Sequence, residues 1–248
     1  MNKTLFSIVL LVAATSAIAN PDIDDKVAAA LAATSRPAAD VDRDDNRLPL
    51  ETLKFFGLED DMRVLELLPG GGWYTRVLAP VLKDDGKLYV ALGAGRTAST
   101  VLTEAGFEDV QVLTTEDNLR RDENTGTYVV DDFSFGVDEL DMVLTFRNLH
   151  NFDAPSRKKI NRAVMNSLKS GGYYGVIDHT RRHMEPDSPE NGRRVDPVLV
   201  IKEMLDIGFE FVDYSDLHYR ADDELEYEVG RRSVTGNTDR FTMLFRNP

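Results

Sequence analysis

Three consecutive glycines, Gly70-Gly71-Gly72, separate the apolar run "RVLELL" from the segment "WYTRVLAP". Glycine accepts positive φ and carries no Cβ, so a ligand can approach its main chain closely. A helix that begins beside such a turn also directs unpaired N–H groups and a partial positive charge at whatever sits there. A tight strand-to-helix turn needs fewer glycines than this, and the run therefore predicts a ligand site. The four histidines, at 150, 179, 183 and 218, show no metal-ligand spacing, and the chain has no cysteine. A thiolate nucleophile, a cysteine zinc site and disulfides are thereby excluded, and no metal site is expected.

The turn needs a scaffold to hold it. Arg63 to Leu68 reads as a short strand, and Trp73 to Leu82 carries apolar residues at helical spacing. "GKLYVAL", "VQVL" and "ELDMVLTF" are the second, third and fourth strands, with a helix expected over Ala98 to Ala105. A helix from about Pro155 to Leu168 follows, and "LKSGGYYGVID" is a turn and fifth strand. Asp196 caps a further helix with Pro197 at its first position. "FEFVDYSD" and "DRFTMLFRN" are two late strands without a helical crossover between them, which suits an antiparallel final strand. The alternation predicts an α/β fold, doubly wound, with a mostly parallel seven-stranded Rossmann-like sheet and an antiparallel last strand. Ligands of such sheets bind at the carboxyl ends of the central strands, where Gly70 to Gly72 lie.

Lys3, the apolar run from Leu5 to Ala19, and the small residues Ala17 and Ala19 form the pattern of a secretory signal peptide cut after Ala19. The run is shorter than the roughly 20 residues a membrane span requires. The expected organisation is a signal peptide over 1–19, a helix and polar connector over 20–48, and one main domain over 49–248. An exported, periplasmic protein is expected, with no stable membrane insertion after cleavage. A net charge of −14 opposes binding to phosphate backbones, so no nucleic-acid partner is expected. The stretch "DVDRDDNRLP" reads as a solvated linker, with a lid that turns Arg43 and Arg47 inward as the alternative. His183 and His218 read as surface residues.

The glycine turn fits a dinucleotide fingerprint poorly. Thr75 stands at the third glycine position and "YVALGAG" ends the second strand without an acid, which disfavours a nicotinamide-dependent oxidoreductase. The chain instead resembles the class I S-adenosylmethionine-dependent methyltransferases. Glu66 followed by Gly70-Gly71-Gly72 is similar to their first motif, with Leu68 in place of the first glycine. "LDMVLTFRNLHNF" is similar to their fourth-strand motif, and "MNSLKSGGYYGVIDHT" to their glycine turn and fifth strand. With the signal peptide, the stretches "RDDNRLP", "LPGGGWYTRVLAP" and "VIDHT" resemble a group of exported predicted methyltransferases of bacteria.

The resemblance implies S-adenosylmethionine as cofactor, a small-molecule acceptor, and a methyltransferase-like domain over 49–248. It implies that Glu66 lies near the cofactor ammonium and that the backbone of Gly70, Gly71 and Gly72 packs against the cofactor. Tyr74 would offer an aromatic face to a cation, and Asn148 would line the cofactor. The acid that many members carry after the second strand is replaced by Leu92-Gly93-Ala94, leaving Glu116 or Asp117 as substitutes. Methyl transfer is a displacement on an activated carbon, so alignment of the nucleophile is the main task. A base is needed only where the acceptor is protonated. His150, just past the fourth strand, is the candidate base, and Asp178 and His179 at the end of the fifth are candidates for acceptor contact. A second class of function stays open: a non-catalytic exported protein that retains the fold and binds another small molecule.

Overall fold

The computed structural model describes residues 22–115 and 118–248. The expected signal peptide and Glu116 therefore lie outside the described residues. The main strands in chain order are β1 (Arg63–Leu67), β2 (Lys87–Ala91) and β3 (Gln111–Val112). β4 (Leu119–Arg121) and β5 (Tyr128–Val130) form a separate antiparallel hairpin. β6 (Leu140–Phe146), β7 (Leu168–His179), β8 (Glu210–Ser215) and β9 (Arg240–Arg246) complete the set. Seven of them form one sheet in the order β3-β2-β1-β6-β7-β9-β8. Every neighbouring pair is parallel except the two that involve β9. The doubly wound sheet with an antiparallel last strand is the one the sequence predicts.

The chain builds outward from β1 to β3 on one side, then returns to place β6 on the other side of β1. Loops leaving β1 and β6 thus diverge and leave a crevice at their carboxyl ends. The period of two along β1 decides what faces it. Leu65 and Leu67 pack into one core with Val143, Ile160 and Val176, while Val64 packs into the other with Phe56, Leu78 and Leu144. Glu66 shares the face of Val64, which sets a carboxyl beneath α5 (Thr75–Leu82). That second face is covered by α1 (Ile23–Leu31) and α4 (Pro49–Phe56) as well. The first face is covered by α7 (Ala154–Ser167) and α8 (Pro197–Ile207). Both begin at an aspartate cap, Asp153 accepting from Ser156 N and Asp196 from Val198 N and Leu199 N.

Four expectations need correction. The helix expected over Ala98 to Ala105 begins earlier, as α6 (Gly95–Ser99), and is followed by a 3₁₀ turn over Val101–Thr103. The Thr97 hydroxyl donates to Gly70 O at 2.9 Å and draws this segment onto the glycine turn. The glycines of "LKSGG" form no separate turn: they lie within β7 beside a register shift between Leu140 and Met142. Third, the stretch read as a solvated linker is folded, with α2 (Ala38–Val41) and α3 (Asp44–Arg47) packed over the crevice. Arg36 is 6% exposed and holds Asp44 through two bonds of 2.6 and 2.7 Å, while the Trp73 indole donates to Asp40 O at 2.9 Å. Fourth, His218 is fully buried rather than on the surface. Its Nε2–H donates to Arg47 O at 2.9 Å and its Nδ1 accepts from Thr242 at 2.7 Å. Burial holds that imidazole neutral, with its pKa lowered to about 4. His183 is exposed, as expected, and rests against Asp196.

Gly175 on β7 packs closely against β6 and α4, since a Cβ there would lie 2.7 Å from Leu144 Cδ2 and 2.9 Å from Phe56 Cδ1. Gly175→Ala is expected to cost about 1–3 kcal/mol by overpacking. Gly95→Ala, where a Cβ meets nothing within 4 Å, should cost nothing measurable. Urea unfolding of both variants checks this contrast.

Candidate active site

The crevice between β1 and β6 opens into a cavity of about 660 Å³. The turn after β1, from Leu68 to Gly71, forms its floor; Phe146 at the end of β6, with Arg147 and Asn148 after it, forms one wall. Asp40, Arg43 and Arg47 from the folded N-terminal segment close it from above. Leu68 adopts φ +48 at the position where the first motif ordinarily has glycine. The strain of that conformation is offset by Leu68 N donating to Ala91 O at 2.9 Å and by the packing of its side chain against the core.

The three glycines do different things. Gly70, at φ +61, and Gly71 both line the cavity, and a Cβ on Gly71 would meet nothing within 4 Å. Gly72, at φ +76, turns the other way: a Cβ there would lie 2.5 Å from Val101 Cγ2. Its lack of a side chain lets the 3₁₀ turn pack close.

Glu66 is 2% exposed, and its carboxyl accepts one hydrogen bond from Thr75 Oγ1 at 2.6 Å. Among the described residues no cation lies within ion-pair distance of it. Burial pushes its pKa up to about 7, against the smaller opposing effects of the Thr75 bond and the charge of Arg47. Asn148 faces the cavity while its amide donates to Leu67 O at 3.2 Å and Thr145 Oγ1 at 3.3 Å, tying the ends of β1 and β6 together. Tyr74 lines the cavity but has little face to spare. Phe146 stacks on it at 3.5 Å, and the Arg47 guanidinium sits 5.5 Å from its ring and 4.4 Å from that of Trp73.

The candidates after β6 and β7 converge. His150 Nδ1 meets Asp178 Oδ1 at 2.5 Å, and His150 N donates to Asp178 Oδ2 at 3.0 Å. His179 N adds a third bond to the same carboxylate at 2.7 Å. Asp178 is fully buried, so these donors replace the water it has lost. The carboxylate fixes the His150 tautomer with its proton on Nδ1, which leaves Nε2 able to accept another. His179 also lines the cavity, with Nδ1 and the Thr238 hydroxyl 2.9 Å apart. Burial, then the neighbouring His150 and Arg147, hold its pKa far below the ordinary imidazole range.

Two features of the site become visible only in the fold. Leu92, the first of the three residues Leu92-Gly93-Ala94 that replace the expected acid, is fully buried in the core at φ +57 and cannot be replaced by a charge without cost. Arg47 and Arg147 also line this cavity and Arg147 and Arg240 a smaller one, bringing arginines together from three distant parts of the chain. Only Arg47 had any signal, as the residue of a lid turned inward.

No protein-family model matches the chain, and no curated protein matches it. Solved structures do. A SAM-dependent methyltransferase from Aquifex aeolicus superposes with TM-score 0.59 at 18% identity, over 91% of this chain and 98% of its own. The [4+2]-cyclase SpnF gives TM-score 0.57 at 14% identity, over 82% and 80%. An S-adenosylmethionine-dependent methyltransferase from Clostridium acetobutylicum gives 0.52 at 15% identity, over 84% and 93%. The fold is that of the class I S-adenosylmethionine-dependent methyltransferases. In this methyltransferase fold the cavity, Glu66 and the glycine turn lie together at the carboxyl end of β1, at the point where the strand order reverses. The presence of a cyclase among the similar structures means that the fold alone does not select the reaction.

Because the pKa of Glu66 is about 7 when folded and 4.5 ordinarily, the folded chain binds more protons between those values. Stability from this group therefore falls as pH rises through that window. Glu66→Gln is expected to be more stable than the wild type by about 1–3 kcal/mol above pH 7 and to lose that advantage near pH 4. Urea unfolding at the two pH values reads the difference.

Proposed function

We propose that this chain is an S-adenosylmethionine-dependent methyltransferase that acts on a small molecule. The observation that carries the reading is Glu66: a buried carboxyl without a cationic partner, at the end of β1, opening into a cavity beside the glycine turn. A cation bound there would restore its charge and remove the penalty of burying it. The cationic amino-acid end of S-adenosylmethionine fits that need, and Gly70 and Gly71 leave the main chain open to it. When bound, the cofactor supplies a methyl group already activated by its sulfonium. Asn148 holds the β1 and β6 ends at the spacing the cavity requires. Arg96 and Thr100, beyond the glycine turn, are polar groups available to the nucleoside end where Leu92 offers none, with Glu116 as a further candidate.

His150 is the base in this reading. Asp178 orients its imidazole and stabilises the imidazolium after a proton is taken from a protonated acceptor. His179, held neutral, contacts the acceptor rather than competing for the proton. The chain is read as exported and periplasmic, in the group its sequence resembles, and no described helix is long and apolar enough to cross a membrane. The alternative of a non-catalytic binding protein finds no support among the similar structures, which bear the names of enzymes.

Calorimetric titration of the mature protein tests the reading. S-adenosylmethionine and S-adenosylhomocysteine are expected to bind with micromolar affinity and NAD not to bind. Gly71→Asp, which adds a carboxylate to the cavity without a clash, should weaken both by tenfold or more. A folded wild type that binds neither would overturn the proposal.

Once an acceptor is in hand, a second measurement addresses the base. His150→Ala should keep the affinity for S-adenosylhomocysteine and lower turnover by about 10²–10⁴-fold. Full turnover in that variant would remove the base role.

A further inference from the structure

Around the cavity the chain concentrates positive charge that its own acids do not answer. Arg47 is 5% exposed and Arg240 3% exposed, and Arg147 lines both the main cavity, with Arg47, and a smaller one of about 180 Å³, with Arg240. Among the described residues none of the three has a carboxylate within ion-pair distance. The guanidinium of Arg47 lies over Trp73 and Tyr74, and among the described residues neither it nor that of Arg147 donates a hydrogen bond. Among the described residues Arg240 donates to Asn46 alone, and its buried Nε has no partner. Of the nearby acids, Asp40 pairs with Arg43, Asp178 holds His150 and His179, Asp239 accepts from Arg220 N, and Glu66 feels the charge of Arg47 only from beyond ion-pair distance. Burial and mutual repulsion lower the pKa of Arg47 to about 9 and that of Arg240 to about 10. Arg147 also takes φ +65, an uncommon conformation for a side chain of its size, at the exit of β6.

This arrangement sits in a protein of net charge −14, yet the acids that line the cavity, Asp40 and Glu66, stand beyond ion-pair distance of these three arginines. S-adenosylmethionine does not supply the missing charge, because its one carboxylate comes with an ammonium and a sulfonium. We propose that the cavity binds a second, anionic small molecule whose oxyanion group, carboxylate or phosphate, is held by Arg147 with Arg47 and Arg240. Resting on the methyltransferase reading, that molecule is the acceptor. Guanidinium forks match either oxyanion through paired hydrogen bonds. Arg147 is three residues from His150, so an anion held there brings the rest of the acceptor to the base.

The test titrates the mature protein with inorganic phosphate and, separately, with succinate, against potassium chloride of equal ionic strength. Each titration is run with and without saturating S-adenosylhomocysteine. At least one oxyanion is expected to bind in both conditions, and Arg147→Gln and Arg240→Gln should each weaken it tenfold or more. Phosphate alone binding identifies a phosphorylated acceptor, and succinate alone a carboxylate. An unfolding midpoint of Arg147→Gln at or above that of the wild type shows that the loss is not misfolding. The proposal is overturned if neither oxyanion binds, if the variants bind as the wild type does, or if S-adenosylhomocysteine displaces the anion. That last result would assign the arginines to the cofactor carboxylate. Oxyanion binding by a protein that does not bind S-adenosylhomocysteine would leave the anion site standing and remove the methyltransferase reading instead.

Discussion

The parallel pairing of β1 with β6 is the constraint on which the site depends. Its register sets Leu67 beside Thr145, so the two strands end level and their loops leave in opposite directions. Most of the candidate site is then placed by its distance from a strand end. Glu66 is one residue inside the end of β1, and the glycine turn follows it; Asn148 and His150 follow β6; Asp178 and His179 close β7 one strand further on. Asn148 reinforces the same pairing by donating from one loop to the last carbonyls of the other strand. A slip of one residue in β1 would turn Glu66 into the opposite core and leave the crevice without its acid.

Charge is distributed over that frame in an ordered way. The exterior carries the acids that make the chain strongly negative, whereas the cavity gathers arginines from the N-terminal segment, the β6 loop and the start of β9. The N-terminal segment is held down by contacts that tolerate charge. Arg36 is matched by Asp44, Arg47 lies against the rings of Trp73 and Tyr74, and Asn46 accepts from Arg240. Buried His218 then ties the Arg47 carbonyl to β9. The roof of the cavity is thus built from the same residues that make it electropositive.

How much of this could be read in advance follows from the range of the interactions involved. The strands and the longer helices have a hydrophobic period or an aspartate cap, both local signals, and their order fixes the sheet. The glycine turn and the group around His150 could be placed because they follow directly from strand ends. The N-terminal segment could not, because its stability comes from residues far away in sequence: Asp40 with Trp73, Arg47 with His218, Asn46 with Arg240. A window centred on "DVDRDDNRLP" is mostly charge and has no apolar period. The β4–β5 hairpin was missed for the opposite reason, since its short strands have almost no apolar period and rest on a turn held by the Asp122 side chain.

The positions that depart most from local preference surround the site. Leu68, Leu92 and Arg147 all take positive φ, directly after β1, β2 and β6. Two of them are leucines that add apolar contacts to the core where glycine or an acid is ordinarily used, which explains how the chain retains the turn without the usual residues. Arg147 has no such packing: among the described residues its side chain makes no hydrogen bond or ion pair, and it shares a repulsive field with Arg47 and Arg240. Glu66 is uncompensated in the same sense with the opposite sign. A cavity that holds an unanswered carboxyl at one point and unanswered guanidinium groups at another is suited to two ligands of opposite character, a cation against β1 and an anion against β6. The crevice between those strands is where two such molecules would meet.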